Sequence, residues 1–185
     1  MYHVLRILLY RLWVVSTFTL FSSAIVFWFY GYFLALTVFS FGISGGAVAI
    51  DLASRLEYKN KIWALIVENT FTSIPDMAKI LLKWRCLNWL PMFCHKNKYM
   101  SLNKMSCVSS ATLVVCGACD ALVPPRMARE LLLCCGAPLK RLAVLSGGGH
   151  DDTWTRPDYY AVLQRFLLDV PPLPDEVRVS VVHTV

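Results

Sequence analysis

Apolar and polar positions change rhythm along this chain. From Leu12 to Ile50 no charged side chain and no histidine interrupts the sequence. Beyond Asp51, short continuous apolar runs alternate with stretches in which apolar residues recur every three or four places. Ile62–Val67, Thr112–Cys116 and Arg141–Leu145 are runs of the first kind and read as strands covered on both faces, as a parallel sheet requires. Thr37–Phe41, at the end of the uncharged stretch, is another. The helical rhythm appears between them. Val48, Ala49, Leu52 and Leu56 fall on one predicted face, with Asp51, Ser54 and Arg55 around the other side. Ser73 and Asp76, with Pro75 inside the first turn, open a helix that is predicted to reach Leu82. Pro124-Pro125 opens a third, running to Cys135, with Gly136 as its C′ glycine. Pro157-Asp158 starts the last, which carries Val162, Leu163, Phe166 and Leu167 on one side and ends at Pro171-Pro172. Strands alternating with helices at this spacing predict an α/β fold around a parallel sheet, with helices on both faces. Lys83–Lys104 is basic and aromatic without a clear period, and no internal repeat occurs.

The uncharged stretch changes the picture. Leu12 to about Leu34 is long enough to cross a bilayer as a helix, which takes roughly 20 apolar residues. Arg6 and Arg11 flank its start, and Trp13, Trp28-Phe29-Tyr30 and Tyr32-Phe33 are the aromatics expected at the two interfaces. The run is too long for the core of a signal peptide and ends in no small-residue cleavage site. The expected organisation is therefore a segment 1–35 with one transmembrane helix, a domain over 36–170, and an unstructured tail over 171–185. A hydrophobic share of 57% and a mean hydropathy of +0.53 agree with a membrane segment. A net charge of +6 suits either an anionic membrane surface or nucleic acid. The charge is diffuse and no nucleic-acid motif accompanies it, so membrane lipids are the expected partner. Arg6 and Arg11 favour a cytoplasmic N-terminus, a type II topology, against competition from Arg55, Lys59 and Lys61. The seven cysteines are odd in number and imply no closed disulfide framework.

The candidate chemistry begins at Gly42-Ile43-Ser44-Gly45-Gly46, a G-x-S-x-G preceded by a strand-like run and followed by a helix-like one. A serine on a sharp strand-to-helix turn lifts its hydroxyl clear of the sheet. Gly45, next along, would offer a backbone N–H to a developing oxyanion at the helix start. Asp120 and His150 each sit in a loop just beyond a predicted strand, where open parallel sheets place functional groups. A serine hydroxyl needs a base to take its proton, a histidine supplies one near neutral pH, and an aspartate fixes its tautomer. Taken singly, each has a plainer role: a turn glycine or serine, a turn-forming aspartate, an exposed loop histidine. The order Ser…Asp…His, each after a strand, is that of an α/β-hydrolase. Glu68, also at a strand end, is the alternative acid. Cys116-Gly117-Ala118-Cys119 has redox spacing, but a loop follows it where a redox motif needs a helix. Cys86, Cys94 and His95 lack a standard zinc spacing and a fourth ligand. The expectation is no cofactor and no metal. Lys83–Lys104 reads either as a cap over headgroups or an acyl pocket, or as a solvated basic loop.

Ser40–Ile50, Val67-Glu68-Asn69-Thr70-Phe71, Gly117–Asp120 with Pro124-Pro125, and His150-Asp151-Asp152-Thr153-Trp154 together resemble one family, the α/β-hydrolase domain-containing protein 13 family of membrane-anchored serine hydrolases. The likeness runs from about Phe39 to Val170. It implies a nucleophile at Ser44, an acid at Asp120, a base at His150, and hydrolysis of an ester, thioester or amide through an acyl-serine. The sequence departs from that family in having no His-Gly oxyanion loop upstream of Ser44. It has Ile43 where a basic residue is usual, and an elbow one residue short, which turns the following helix by about 100°. In the α/β-hydrolase strand order 1-2-4-3-5-6-7-8, the runs found here correspond to the last four strands. The resulting expectation is the C-terminal half of an α/β-hydrolase fold, its elbow strand left as an exposed edge, with little or no turnover. The alternative function is that of a truncated, catalytically inactive form or a membrane-anchored interaction protein.

Overall fold

A computed structural model of the chain describes residues 24–26, 36–40, 43–82 and 99–172. Strand β1 (Ala24–Val26) and strand β2 (Leu36–Ser40) lead into helix α1 (Ile43–Ser54). Strand β3 (Ile62–Glu68), helix α2 (Ile74–Leu82) and the short helix α3 (Ser101–Met105) follow. Strand β4 (Ala111–Gly117), helix α4 (Pro125–Cys134), strand β5 (Lys140–Leu145) and helix α5 (Tyr159–Asp169) complete the order. The five strands form one sheet in sequence order, with β2 to β5 mutually parallel.

Alternation along the central strands sorts the core into two layers. Leu65 and Val67 of β3, with Val114 and Cys116 of β4, face a cluster containing Ala49, Ile50 and Ala53 of α1, Met105 of α3, and Ala128 and Leu131 of α4. Ala64 and Ile66, with Leu113 and Val115, face the other way onto Tyr159, Leu163 and Phe166 of α5. Helices therefore cover both faces, and the continuous apolar runs are the consequence. A third cluster of Ala47, Phe71, Met77, Val123 and Met127 gathers residues that follow the strands. The helix start expected at Ser73 is present: Asp76 N–H donates to Ser73 Oγ at 3.1 Å, and Ser73 Oγ donates to Asp76 Oδ2 at 2.6 Å.

Four expectations are corrected. The elbow strand is not a bare edge, because β1 pairs antiparallel with it through Ala24↔Ser40, Ile25↔Phe39 and Val26↔Val38. An open row of backbone N–H and C=O groups is satisfied by the nearest apolar, β-branched chain. Those same three residues lie inside the segment expected to be a transmembrane helix, and they are extended. The rest of that segment lies outside the described residues, among which no helix is long and apolar enough to cross a membrane. The buried stripe of α1 is Ala47, Ala49, Ile50 and Ala53, while Val48 and Leu56 are exposed. Small residues let α1 approach the sheet closely, and Leu56 lies past its end in a turn of 3₁₀ helix. Gly136 does not adopt a left-handed conformation, since Gly147 is the glycine with positive φ among the described residues. It is instead required by the close passage of the Ser106 backbone, where a Cβ would collide.

Candidate active site

Register brings the strand ends level. Ser40 pairs with Val67, Glu68 with Val115 and Gly117 with Leu145, so the loops after β3, β4 and β5 emerge side by side. Asp120 lies in the loop after β4 and His150 in the loop after β5. His150 Nδ1 is 2.8 Å from Asp120 Oδ2. The Asp120 side chain is wholly buried, and its other oxygen accepts backbone N–H bonds from Leu122 and Val123, each at 2.8 Å. These two bonds make an Asx-type turn that fixes the carboxylate plane. The orientation leaves Nε2 as the imidazole nitrogen free of the aspartate.

The two loops are also stitched through their backbones. Ala118 N–H donates to the Leu145 carbonyl at 2.9 Å and Cys119 N–H to the Gly148 carbonyl at 2.8 Å. Gly117 lies so close to Gly148 that a Cβ would enter the Gly148 carbonyl group. Gly147 turns the chain with φ +70°, and Gly149 N–H donates to Asp152 Oδ1 at 2.5 Å. Arg156 holds the other oxygen of that carboxylate at 2.9 Å.

Ser44 is the second residue of α1, and its side chain, like Gly42 and Phe41, lies outside the described residues. Gly45 is buried in the first turn, among the N–H groups that have no partner within the helix. Gly46 packs directly on the Thr70 side chain, leaving no room for a Cβ. Ala47 shares a cluster with Val123, one of the residues that hold Asp120. The turn bearing Ser44 and Gly45 therefore opens on the same end of the sheet as Asp120 and His150.

Glu68 is not hydrogen-bonded to His150; its carboxylate accepts the Tyr159 hydroxyl at 2.7 Å. Burial pushes the Glu68 carboxyl up to about 7, against the opposing effects of the Tyr159 hydrogen bond and the nearby His150. Burial also pushes the Tyr159 phenol up, and Glu68 adds to it. Folded Glu68 thus holds its proton up to a higher pH than the unfolded chain, where the ordinary value is 4.5. Stability is expected to fall by roughly 3 kcal/mol as pH rises from about 4.5 to about 7, then level off. Glu68→Gln should flatten that slope in denaturant melts across this range; an unchanged slope would show that Glu68 is not its source.

The sequence reading missed Asn69, Tyr159 and Thr153. Of these only Asn69 leaves a local signal, because an asparagine directly after a strand favours a left-handed turn. The C-x-x-C cysteines are unjoined: Cys116 is buried and Cys119 exposed. Burial raises the Cys116 thiol to about 11, the opposite of a reactive thiolate. Cys86, Cys94, His95 and most of the basic aromatic stretch lie outside the described residues. Among those described, no group of three or more metal-ligating side chains forms.

No family model matches the chain. It is 30% identical over 127 residues to the membrane protein YNL320W of Saccharomyces cerevisiae, covering 68% of this chain and 43% of that protein. It is 31% identical over 130 residues to the protein bem46 of Schizosaccharomyces pombe, covering 68% and 41%. With the α/β-hydrolase domain-containing protein WAV2 of Arabidopsis thaliana it shares 33% identity over 123 residues, covering 60% and 39%. The matched region spans less than half the length of these curated relatives. Among solved structures, a monoacylglycerol lipase of Paleococcus ferrophilus superposes with TM-score 0.52 at 13% identity, over 72% of this chain and 68% of that one. An esterase of Pyrococcus furiosus does so with TM-score 0.54 at 16% identity, over 74% and 53%.

Proposed function

We propose that this chain, an α/β-hydrolase by its fold and by its likeness to α/β-hydrolase domain-containing proteins, acts as a serine hydrolase on ester or thioester bonds, and on amides as the harder case. The observation that carries the reading is the 2.8 Å contact between a wholly buried Asp120 and His150, on the sheet end where α1 begins. In this reading His150 Nε2 takes the Ser44 hydroxyl proton as Oγ attacks the acyl carbon. The tetrahedral oxyanion is met by the Gly45 N–H. His150 then returns the proton to the leaving oxygen or sulfur. Water, deprotonated by the same nitrogen, attacks the acyl-serine and releases the acid. Asp120 holds Nδ1–H throughout and stabilises the imidazolium. No metal or cofactor enters these steps.

The finer assignment, to the α/β-hydrolase domain-containing protein 13 group, is supported by the four matching stretches named above. Membrane attachment is supported by the membrane description of the yeast relative and by the uncharged residues from Leu12 up to the start of β1. In this reading the segment before β1 carries the attachment, with a cytoplasmic N-terminus. A catalytically silent interaction role is favoured by one observation: β2, central in a whole domain of this kind, is bordered here by a three-residue strand.

One experiment addresses both claims. Membranes from cells expressing the chain are washed at alkaline pH and treated with a fluorophosphonate, whose phosphorus takes a serine oxygen as fluoride leaves. The label is expected on the chain, in the pellet, and absent in Ser44→Ala. A label that persists in Ser44→Ala, or no label on either protein, rules out the nucleophile; labelled chain in the wash rules out the attachment.

A further inference from the structure

Asn69 is buried to 2% exposure and has φ +46°, a left-handed conformation that asparagine accepts more readily than other non-glycine residues. Its backbone N–H donates to the Val115 carbonyl at 3.0 Å. Its side-chain Oδ1 accepts the Gly117 N–H at 3.1 Å, at the end of β4, three residues before Asp120. Its Nδ2 donates to the carbonyl of His150 itself at 2.7 Å and to Thr153 Oγ1 at 2.9 Å, with the Gly149 carbonyl at 3.4 Å. Thr153 Oγ1 in turn donates to the Gly149 carbonyl at 2.6 Å. One amide group, held rigid by its own left-handed turn, therefore grips the end of the Asp120 strand and the loop on which His150 rides.

We infer that Asn69 is a positioning residue: by fixing the His150 backbone against the β4 terminus it sets the approach of the imidazole to Asp120. The inference rests on the catalytic reading only for its effect on rate. Its structural content is the dependence of the His150–Asp120 bond on an amide that touches neither side chain. The bond could in principle be held by the backbone stitches between the two loops alone. The Asn69 contact differs from these in being the one made to the carbonyl of His150 itself. Without it the buried Gly117 N–H loses its acceptor and the half-buried His150 carbonyl its donor, and water entering to satisfy them would loosen the loop. Displacements of about 1 Å at a catalytic base can cost about 100-fold in rate.

The test follows the Nδ1 proton of His150 by NMR in the full chain in detergent, a signal that does not require turnover. Assignment comes from its loss in Asp120→Asn. Asn69→Gly keeps the backbone conformation and deletes the amide. Asn69→Asp keeps the acceptor for Gly117 N–H but, ionised, gives no donor to His150. In either variant the low-field Nδ1 proton is expected to vanish through exchange with solvent, while the α5 methyl signals stay in place. Fluorophosphonate labelling should slow about 100-fold. A Nδ1 proton retained in either folded variant overturns the inference. Should neither variant fold, exchange in the unmodified chain decides. The Asn69 Nδ2 protons and the His150 proton should be lost together on warming, and a His150 proton lost well before them overturns the inference. A wild-type chain with the proton in place and no label at Ser44 sinks the hydrolase reading and leaves the positioning role standing.

Discussion

Replacing Asp120 by asparagine is expected to slow phosphonylation and acylation of Ser44 by roughly 10⁴-fold. The size follows from what surrounds the carboxylate. Oδ1 accepts the Leu122 and Val123 N–H groups, so an amide at this position must keep its oxygen there. Its NH₂ group then faces His150 Nδ1 at the place where Oδ2 stood 2.8 Å away. A donor at that point requires Nδ1 to accept, which drives the ring proton to Nε2. The nitrogen that should take the serine proton then already carries one. Glu68→Gln is the matched control, since its partner is Tyr159 and not the histidine, and its effect on rate should be within a fewfold of wild type. Rates are read as second-order labelling constants from a single preparation. A nearly silent Asp120→Asn beside a large loss from Glu68→Gln would reassign the acid to β3.

How much of this was legible beforehand depends on which physical signal each part leaves in the sequence. The β3, β4 and β5 runs were readable within a residue or so at each end because strands covered on both faces need unbroken apolar runs. The Ser73–Asp76 start was readable because capping uses particular side chains. The exposure of Val48 was not, because a stripe of alanines and one with a valine in it look alike until the neighbouring layer is known. Strand β1 was hidden for a different reason: Ala24-Ile25-Val26 is apolar whether it lies in lipid or completes a sheet edge, and only the edge of β2 distinguishes them. Asp120 and His150 stood out by their places after strands. Asn69 did not, since its role comes from five partners far from it in sequence, Val115, Gly117, Gly149, His150 and Thr153. Long-range contacts of that kind leave no period and no motif. Short α3 was missed as well: five residues, of which Ser101 and Met105 are buried, are too few to show a helical repeat.

The second large effect concerns the oxyanion. Acyl transfer of this kind generally uses a pair of donors, and removal of one costs on the order of 3 kcal/mol, a hundredfold or more in rate. Gly45 supplies one candidate, an N–H in the first turn of α1 with no partner inside the helix. The second is usually an N–H on a loop that carries a His-Gly motif, and no such motif precedes Ser44 in this sequence. The turn that must hold Ser44 follows β2, whose outer neighbour is the three-residue β1. A catalytic turn keeps its geometry only where its surroundings over-determine it, and among the described residues the close support is that of Gly46 against Thr70. Both deficits act on the transition state and neither touches the His150–Asp120 bond. Phosphonylation of Ser44 should therefore be detectable while hydrolysis of short acyl esters stays slow. A kcat of about 0.1 s⁻¹ or less is expected, a hundredfold under the ~10 s⁻¹ median of enzymes. Steady-state assays of purified chain in detergent, with Ser44→Ala as background, measure it. Turnover near 10 s⁻¹ at stoichiometric labelling would show that a second donor is supplied from elsewhere in the chain and that the elbow is held without further strands.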